Sequence, residues 1–173
     1  NGLDFAKITA YAYLLDFDGA TFAGLDSRTL GVRLSGGKDV SDGVKILYTA
    51  EYAQQSDQAD NPASFDVDYF LIEPGVSANG VTVKLGYESL GSDNAGTVGF
   101  ATPLATLHAH NGWADQFLAT PGTGLEDLYA KVSYKFDGVG EIIDGTKIDV
   151  IYHDFSAESG GTDYGKEWDL QLS

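Results

Sequence analysis

The sequence predicts an all-β fold, built as an antiparallel up-and-down meander of about eight strands. Hydrophobicity alternates with a period of two residues along eight separate segments, and successive side chains of a strand point to opposite faces of its sheet. A helical period is confined to the short stretch GWADQFL. We therefore expect each segment to carry one apolar face and one polar face.

The eight segments follow one another with turn-forming residues between them. They are residues 7–17, 29–35, 44–53, 66–73, 81–89, 127–136, 146–155 and 167–173. In VTVKLGYES, the apolar Val83 and Leu85 lie on the face opposite Lys84. The segment DVDYFLIE is the least regular, because Phe70 and Ile72 give it apolar side chains on both faces.

The connections between the segments differ in length in a regular way. Those after strands 1, 3, 5 and 7 are long, at 16–28, 54–65, 90–124 and 154–165. Those after strands 2, 4 and 6 are shorter, at 36–43, 73–80 and 137–145. Alternate connections of a meander lie at the same end, so long loops and short turns are predicted at opposite ends, as in outer-membrane barrels. We therefore predict a transmembrane β-barrel, or half of a larger one, in which residues 1–173 form a single domain with a long insert at 90–124.

The positions of the charged residues sharpen this prediction. The net charge of −16 argues against nucleic acid as a partner, because phosphate binding needs a basic surface. Most lysines and arginines nevertheless fall on the polar faces of the strands, which would line a wet lumen, while the apolar faces would meet lipid. The predicted lumen or solute-facing residues are Arg33, Lys45, Glu51, Lys84, Glu88, Lys131, Lys147 and Asp149.

A soluble or cell-surface β-domain is the alternative interpretation of the same pattern. Its apolar rows would form a core, and its lysines would be solvated or would protect the sheet edges. Such a domain could bind carbohydrate or assemble with copies of itself through open edges. The combination of eight strands with the difference in loop length favours the membrane barrel.

Several stretches resemble the porin-like outer-membrane proteins of Gram-negative bacteria. They include KILYTAEYAQQSD, DVDYFLIEPGVSANGVTVKLGYESLGSD and FATPLATLHAHNGWADQFLATPGTGLEDLYAKVSY. More narrowly, these stretches are similar to proteins with an alginate-export domain, and the chain looks like the C-terminal half of one. The chain contains no methionine and ends on Ser173 rather than on the aromatic residue of such barrels, so we expect a fragment of a longer barrel.

The resemblance implies a location in the bacterial outer membrane and passive transport of solutes. For the alginate exporters it implies an electropositive pore for an acidic polysaccharide. The implied partners are outer-membrane lipid and lipopolysaccharide, polar or anionic solutes or saccharides, and further copies of the chain in a homo-oligomer. By this resemblance, the residues expected to line such an electropositive pore are Arg33, Lys45, Lys84 and Lys131.

The insert at 90–124 is the candidate for a constriction, because long barrel loops can fold into the lumen. The alternative is an extracellular lid, although the apolar content of the insert favours packing inside. The candidate constriction residues are His108, His110, Trp113, Asp115 and Phe117. Two imidazoles and the carboxylate of Asp115 form too weak a ligand set to predict a metal site.

No cofactor is predicted from the remaining motifs. The loop DFDGATFAGLD is rich in oxygen ligands but lacks the twelve-residue pattern and closing glutamate of an EF-hand. Divalent cations could still bridge the acidic loops. The absence of cysteine excludes thiolate chemistry, and no nucleophile motif, P-loop or dinucleotide fingerprint is present. The sequence therefore predicts that the protein is not an enzyme.

Overall fold

The computed structural model describes residues 5–105, 111–138, 140 and 143–173. Within these residues, eight strands form one antiparallel sheet whose spatial order is the chain order, so the predicted meander is confirmed. The strands are β1 (Ala6–Leu15), β2 (Ser27–Ser41), β3 (Val44–Asp57), β4 (Asp66–Ala78), β5 (Val81–Leu90), β6 (Leu125–Lys135), β7 (Lys147–Ser156) and β8 (Asp163–Leu172). A short 3-10 helix, Ala23–Leu25, precedes β2. In the described part of the chain, no helix has the length and apolar character needed to cross a membrane.

The hairpins at one end of the sheet are tighter than the sequence suggested. Residues 36–41 and 74–78, predicted as turns, belong to β2 and β4. The turn between β4 and β5 consists of Asn79 and Gly80, whose φ angles are +50° and +81°. A type I′ turn requires both residues in the left-handed region, and Asn-Gly is its preferred sequence. The dipeptide was therefore a usable signal for a two-residue turn.

The predicted difference in loop length holds only in part. At the long-loop end, the connections are 16–26, 58–65, 91–124 and 157–162. At the turn end, they are 42–43, 79–80 and 136–146. The connection 136–146 is therefore longer than 157–162, contrary to expectation. The latter is short because β7 extends to Ser156 and the chain reverses at Gly160 and Gly161, both with positive φ.

The register of the sheet joins the alternating rows into two continuous faces. On the outer face, Val83 of β5 pairs with Val132 of β6, which pairs with Val150 of β7 and then with Leu170 of β8. The inner face carries the polar rows, including Lys131. The insert between β5 and β6 packs on this inner face.

The buried hydrophobic side chains gather on the inner face at the long-loop end. The cluster consists of Ala53, Phe65, Val67, Leu90, Phe100, Leu125 and Phe155. It combines residues of β3 to β7 and Phe65, just before β4, with Phe100 of the insert, which is only 6% exposed. The apolar character of both faces of β4 now has a physical reason, since Val67 packs beneath the insert while Phe70 and Ile72 point outward.

Candidate pore wall and constriction

The outer face is an exposed apolar surface that extends from β1 to β8. The exposed fraction reaches 74% at Leu170 and 71% at Trp168. Its large exposed members are Ile8, Leu14, Leu30, Val32, Leu34, Ile46, Tyr52, Phe70, Ile72, Val76, Val81, Leu85, Leu128, Val132, Tyr134, Trp168, Leu170 and Leu172. Monomeric soluble proteins rarely expose a contiguous apolar surface of this extent. The face requires an apolar environment.

Two tyrosines of the inner face lie across a glycine of the neighbouring strand. Tyr11 of β1 is in register with Gly31 of β2, and Tyr129 of β6 is in register with Gly86 of β5. A Cβ atom added at Gly31 or Gly86 would lie 2.2 or 2.0 Å from the Cζ atom of the facing ring. The missing side chain therefore allows each ring to cross its neighbour and reach a third strand.

On the β1–β3 part of the wall, the ring of Tyr11 reaches Glu51. The Tyr11 hydroxyl donates a hydrogen bond of 2.7 Å to Oε1 of Glu51, and Oε2 of Glu51 forms an ion pair with Arg33. Arg33 and Glu51 are also directly paired in the β2–β3 register. The structure thus brings together two residues predicted to line the lumen, as a neutral pair.

On the β4–β6 part of the wall, Tyr129 makes the equivalent contact with Glu73. Its hydroxyl donates a 2.8 Å hydrogen bond to Oε2 of Glu73, while Nζ of Lys84 lies 2.7 Å from Oε1. Lys84 was predicted as a lumen residue, but Glu73 was not, because it stood next to a segment assigned to a turn. The charge of Lys84 is therefore balanced by a carboxylate.

Glu88 links the wall to the insert. One carboxylate oxygen accepts the Tyr69 hydroxyl at 2.5 Å, and the other accepts Nδ2 of Asn111 in the insert at 3.0 Å. The predicted solute-facing residue Glu88 therefore also holds part of the constriction candidate in place.

Asp149 contacts three further polar side chains on the inner face. It is 2% exposed and accepts a hydrogen bond of 2.5 Å from Ser133. The ammonium groups of Lys147 and Lys131 lie 2.8 and 3.3 Å from its Oδ1 atom. A buried carboxylate needs such compensation. Lys45 differs, because its ammonium forms no ion pair within the described residues.

A buried histidine connects the last three strands. Nδ1 of His153 on β7 lies 2.8 Å from Oδ2 of Asp127 on β6, and Nε2 lies 3.5 Å from Oδ2 of Asp169 on β8. No sequence motif predicts this group, because the three residues are far apart in the chain. Only the pairing of β6, β7 and β8 brings them together.

The insert is attached to the inner face at several strands. The backbone N–H of Ala114 donates a 2.7 Å hydrogen bond to Glu167 of β8. The ring of Phe117 packs edge-on against Phe155 of β7, with centroids 4.9 Å apart. Backbone atoms of Ala101 are hydrogen-bonded to the side chain of Gln55 on β3. These contacts place the described part of the insert over the inner wall.

The candidate constriction residues have different surroundings in this arrangement. Phe117 is half-buried against the wall, Trp113 is half-buried, and Asp115 is exposed with a φ angle of +53°. His108 and His110 lie outside the described residues.

The carboxylate of Asp93 closes the first turn of the insert. It accepts backbone hydrogen bonds from Val98 at 3.0 Å and Thr97 at 2.6 Å, and a further bond from the Thr97 hydroxyl. These donors stabilise the charged carboxylate and lower the pKa of Asp93 below its ordinary value. The contacts give the half-buried Asp93 a structural role.

A cavity of about 570 Å³ lies between the wall and the first half of the insert. This volume is in the range of small-molecule sites. The wall contributes Tyr11, Arg33, Glu51, Tyr69 and Glu88, whereas the insert contributes Phe100, Pro103 and Leu104. One side of the cavity is therefore polar and hydrogen-bonded, and the other side is apolar.

The acidic loop DFDGATFAGLD closes on itself through Asp26. Oδ1 of this buried residue accepts the backbone N–H of Phe17 at 2.7 Å. Within the described ranges, no group of three or more His, Cys, Asp or Glu side chains could hold a metal ion. The described contacts of this loop therefore assign Asp26 a role in loop structure.

The comparisons with known proteins concern the fold. No protein-family model matches the chain, and no curated protein matches it. The fold is similar to the crystal structure of Pseudomonas aeruginosa OpdL, with a TM-score of 0.64 and 15% sequence identity. The similarity covers 97% of this chain and 44% of the OpdL chain. The chain thus spans less than half the length of that structure, with which it shares a fold.

Proposed function

We propose that this chain forms part of the wall and the constriction of a channel for small polar solutes in the bacterial outer membrane. The observation that carries the proposal is the contrast between an exposed apolar outer face and a charged, hydrogen-bonded inner face. OpdL is an outer-membrane porin of Pseudomonas, and the shared fold supports a channel role in general.

The physical argument follows from the solvent that each face requires. Apolar surface costs roughly 25 cal/mol per Å² when it stays in water, so the outer face is stabilised by contact with lipid. On β3, the outward row from Val44 to Tyr52 matches the length of about 9–11 residues that crosses a bilayer as a tilted strand. The inner face, with Arg33 and Lys84, is suited to a water-filled lumen.

Cysteine labelling tests which face meets lipid, and the chain has no cysteine of its own to interfere. We expect Leu128→Cys on the outer face to react slowly with a membrane-impermeant maleimide when the protein is in lipid vesicles, because lipid covers it. Lys131→Cys on the inner face should react fast, because water fills the lumen. The measurement is the labelling rate of each folded variant, with the unfolded variant as reference.

The soluble or cell-surface domain predicts a different result. Leu128 is 59% exposed, so in such a domain its cysteine variant would label quickly without detergent or lipid. Fast labelling of Leu128→Cys in vesicles, together with recovery of the intact protein from a detergent-free wash, would rule out the channel.

For the solute class we propose polar and anionic molecules, including acidic saccharides. The support is the position of Lys45 on the inner face, where it lies opposite Asp39 in the β2–β3 register but forms no ion pair among the described residues. Arg33, Lys84, Lys131 and Lys147 each have a carboxylate partner, so their contribution to anion preference is smaller. Alginate itself rests on the sequence resemblance alone.

Reversal of the charge at Lys45 should weaken anion preference. We expect Lys45→Glu to lower the anion-to-cation permeability ratio in planar bilayers by about two- to threefold, since solvated charge interactions are worth about 0.2–1 kcal/mol. Lys166→Glu is the matched control, because Lys166 pairs with Asp154 on the outer row. If both variants had the same permeability ratio, Lys45 would not line the lumen.

A further inference from the structure

Gln55 joins the pore wall to the insert through a two-point contact. Its Oε1 atom accepts the backbone N–H of Ala101 at 2.8 Å, and its Nε2 atom donates to the carbonyl of Ala101 at 2.9 Å. Nε2 also donates to the Thr29 hydroxyl on β2 at 2.9 Å. The side-chain amide therefore pairs with Ala101 as a backbone peptide would, and Gln55 is only 1% exposed.

We propose that Gln55 is the positioning residue that fixes the first half of the insert over the inner wall and so sets the size of solute that passes. This inference rests on the proposed channel function. The segment after Ala101 forms one side of the 570 Å³ cavity. A shift of this segment would therefore change the open cross-section directly.

The other contacts near Ala101 act on Phe100, the residue before it. Phe100 lies in the hydrophobic cluster with its ring 5.4 Å from that of Tyr69. The N–H of Phe100 also donates a 2.8 Å hydrogen bond to the carbonyl of Gly91, which positions Phe100 but not the chain that follows Ala101. Apolar contacts are not directional, so they do not define the position of that following segment. The paired hydrogen bonds of Gln55 supply the direction, because both donor and acceptor of Ala101 must align at once.

A second attachment lies far across the sheet. Oε1 of Glu167 on β8 accepts the N–H of Ala114, and a Cβ atom at Gly112 would lie 2.7 Å from Oε2 of Glu167. Gly112 has a φ angle of +84°, which suits glycine. β3 and β8 are five strands apart in the sheet order, so the two attachments restrain the insert at separate points of the wall.

The first test measures whether Gln55 holds the segment. Ala101→Cys is introduced alone, with Gln55→Ala, and with Gln54→Ala as the matched control, because Gln54 is exposed on the outer face of the same strand. We expect the Gln55 variant to label with maleimide several times faster than the other two. Equal rates in all three would overturn the anchor, whether or not the protein conducts.

The second test measures the size limit with the full chain in planar bilayers. We expect Gln55→Ala to raise single-channel conductance by about twofold, because conductance follows the cross-section left open at the constriction, and to admit larger polyethylene glycols. Gln54→Ala should leave both values unchanged. Faster labelling with unchanged conductance would overturn the size role. If the assembled barrel with unaltered Gln55 did not conduct, the channel function and the size role would both be wrong. The labelling rates would still decide whether Gln55 anchors the insert.

Discussion

Replacement of Gly86 by alanine is expected to destabilise the protein by about 1–3 kcal/mol, the usual cost of overpacking. The new Cβ atom would lie 2.0 Å from Cζ of Tyr129, so the ring must leave its place across β5. That movement also breaks its hydrogen bond with Glu73. The gain of about 0.4–1 kcal/mol from a less flexible unfolded chain is smaller than this cost. The free energy of unfolding in detergent or vesicles, measured by denaturant titration, checks the expectation.

Two variants make this prediction specific to the tyrosine. Gly24→Ala is the matched control, because a Cβ atom there meets nothing within 4 Å. In a Tyr129→Ala background, Gly86→Ala should cost almost nothing, since the ring that it displaces is gone; such a double-mutant cycle isolates the contact. If Gly86→Ala behaved like Gly24→Ala, the ring would not cross the glycine in the folded protein.

A lysine in place of Leu85 is expected to cost about 2–4 kcal/mol in a bilayer, as charged residues do near the middle of a lipid-facing barrel strand. Leu85 is 57% exposed on the outer face of the central strand β5. In a soluble domain the same exposed position would tolerate lysine to within about 0.5 kcal/mol. The loss of stability caused by Leu85→Lys therefore shows whether lipid or water covers the outer face.

The inner face of the same strand offers the control for Leu85. Thr82→Lys removes a 2.9 Å hydrogen bond with Ser77, which is worth about 0.5–1.5 kcal/mol, but places its charge toward water. Refolding yield and the free energy of unfolding in vesicles should fall much more for Leu85→Lys than for Thr82→Lys. Equal losses at both positions would contradict a lipid-facing outer surface.

The sheet could be predicted because each strand carries its own signal. Alternation within single segments was enough to find all eight strands and to separate Val83 and Leu85 from Lys84. The ends of the strands were harder to predict from the sequence, because hydrogen bonding to neighbouring strands extends β2 and β4 through residues with weak alternation. The dipeptide Asn79–Gly80 was a local signal that would have predicted the short turn between β4 and β5.

The contacts of the inner wall depend on information that no single segment contains. The path from Tyr129 over Gly86 to Glu73 needs the register of three strands. A two-residue turn fixes the register of β4 with β5, but the long insert separates β5 from β6, so the pairing of Gly86 with Tyr129 could not be derived locally. For the same reason, the role of Gln55 could not be predicted, because its hydrogen-bond partner Ala101 lies within the insert.

The two edge strands of the sheet, β1 and β8, restrict how the ring can close. Each presents a row of backbone N–H and C=O groups, and an unpaired group of this kind costs several kcal/mol in hydrocarbon. Neighbouring strands alternate in direction and the sheet contains eight of them, so β1 and β8 run in opposite directions. Closure by antiparallel pairing alone then requires an even number of additional strands, or none. The total strand number of any such barrel is even.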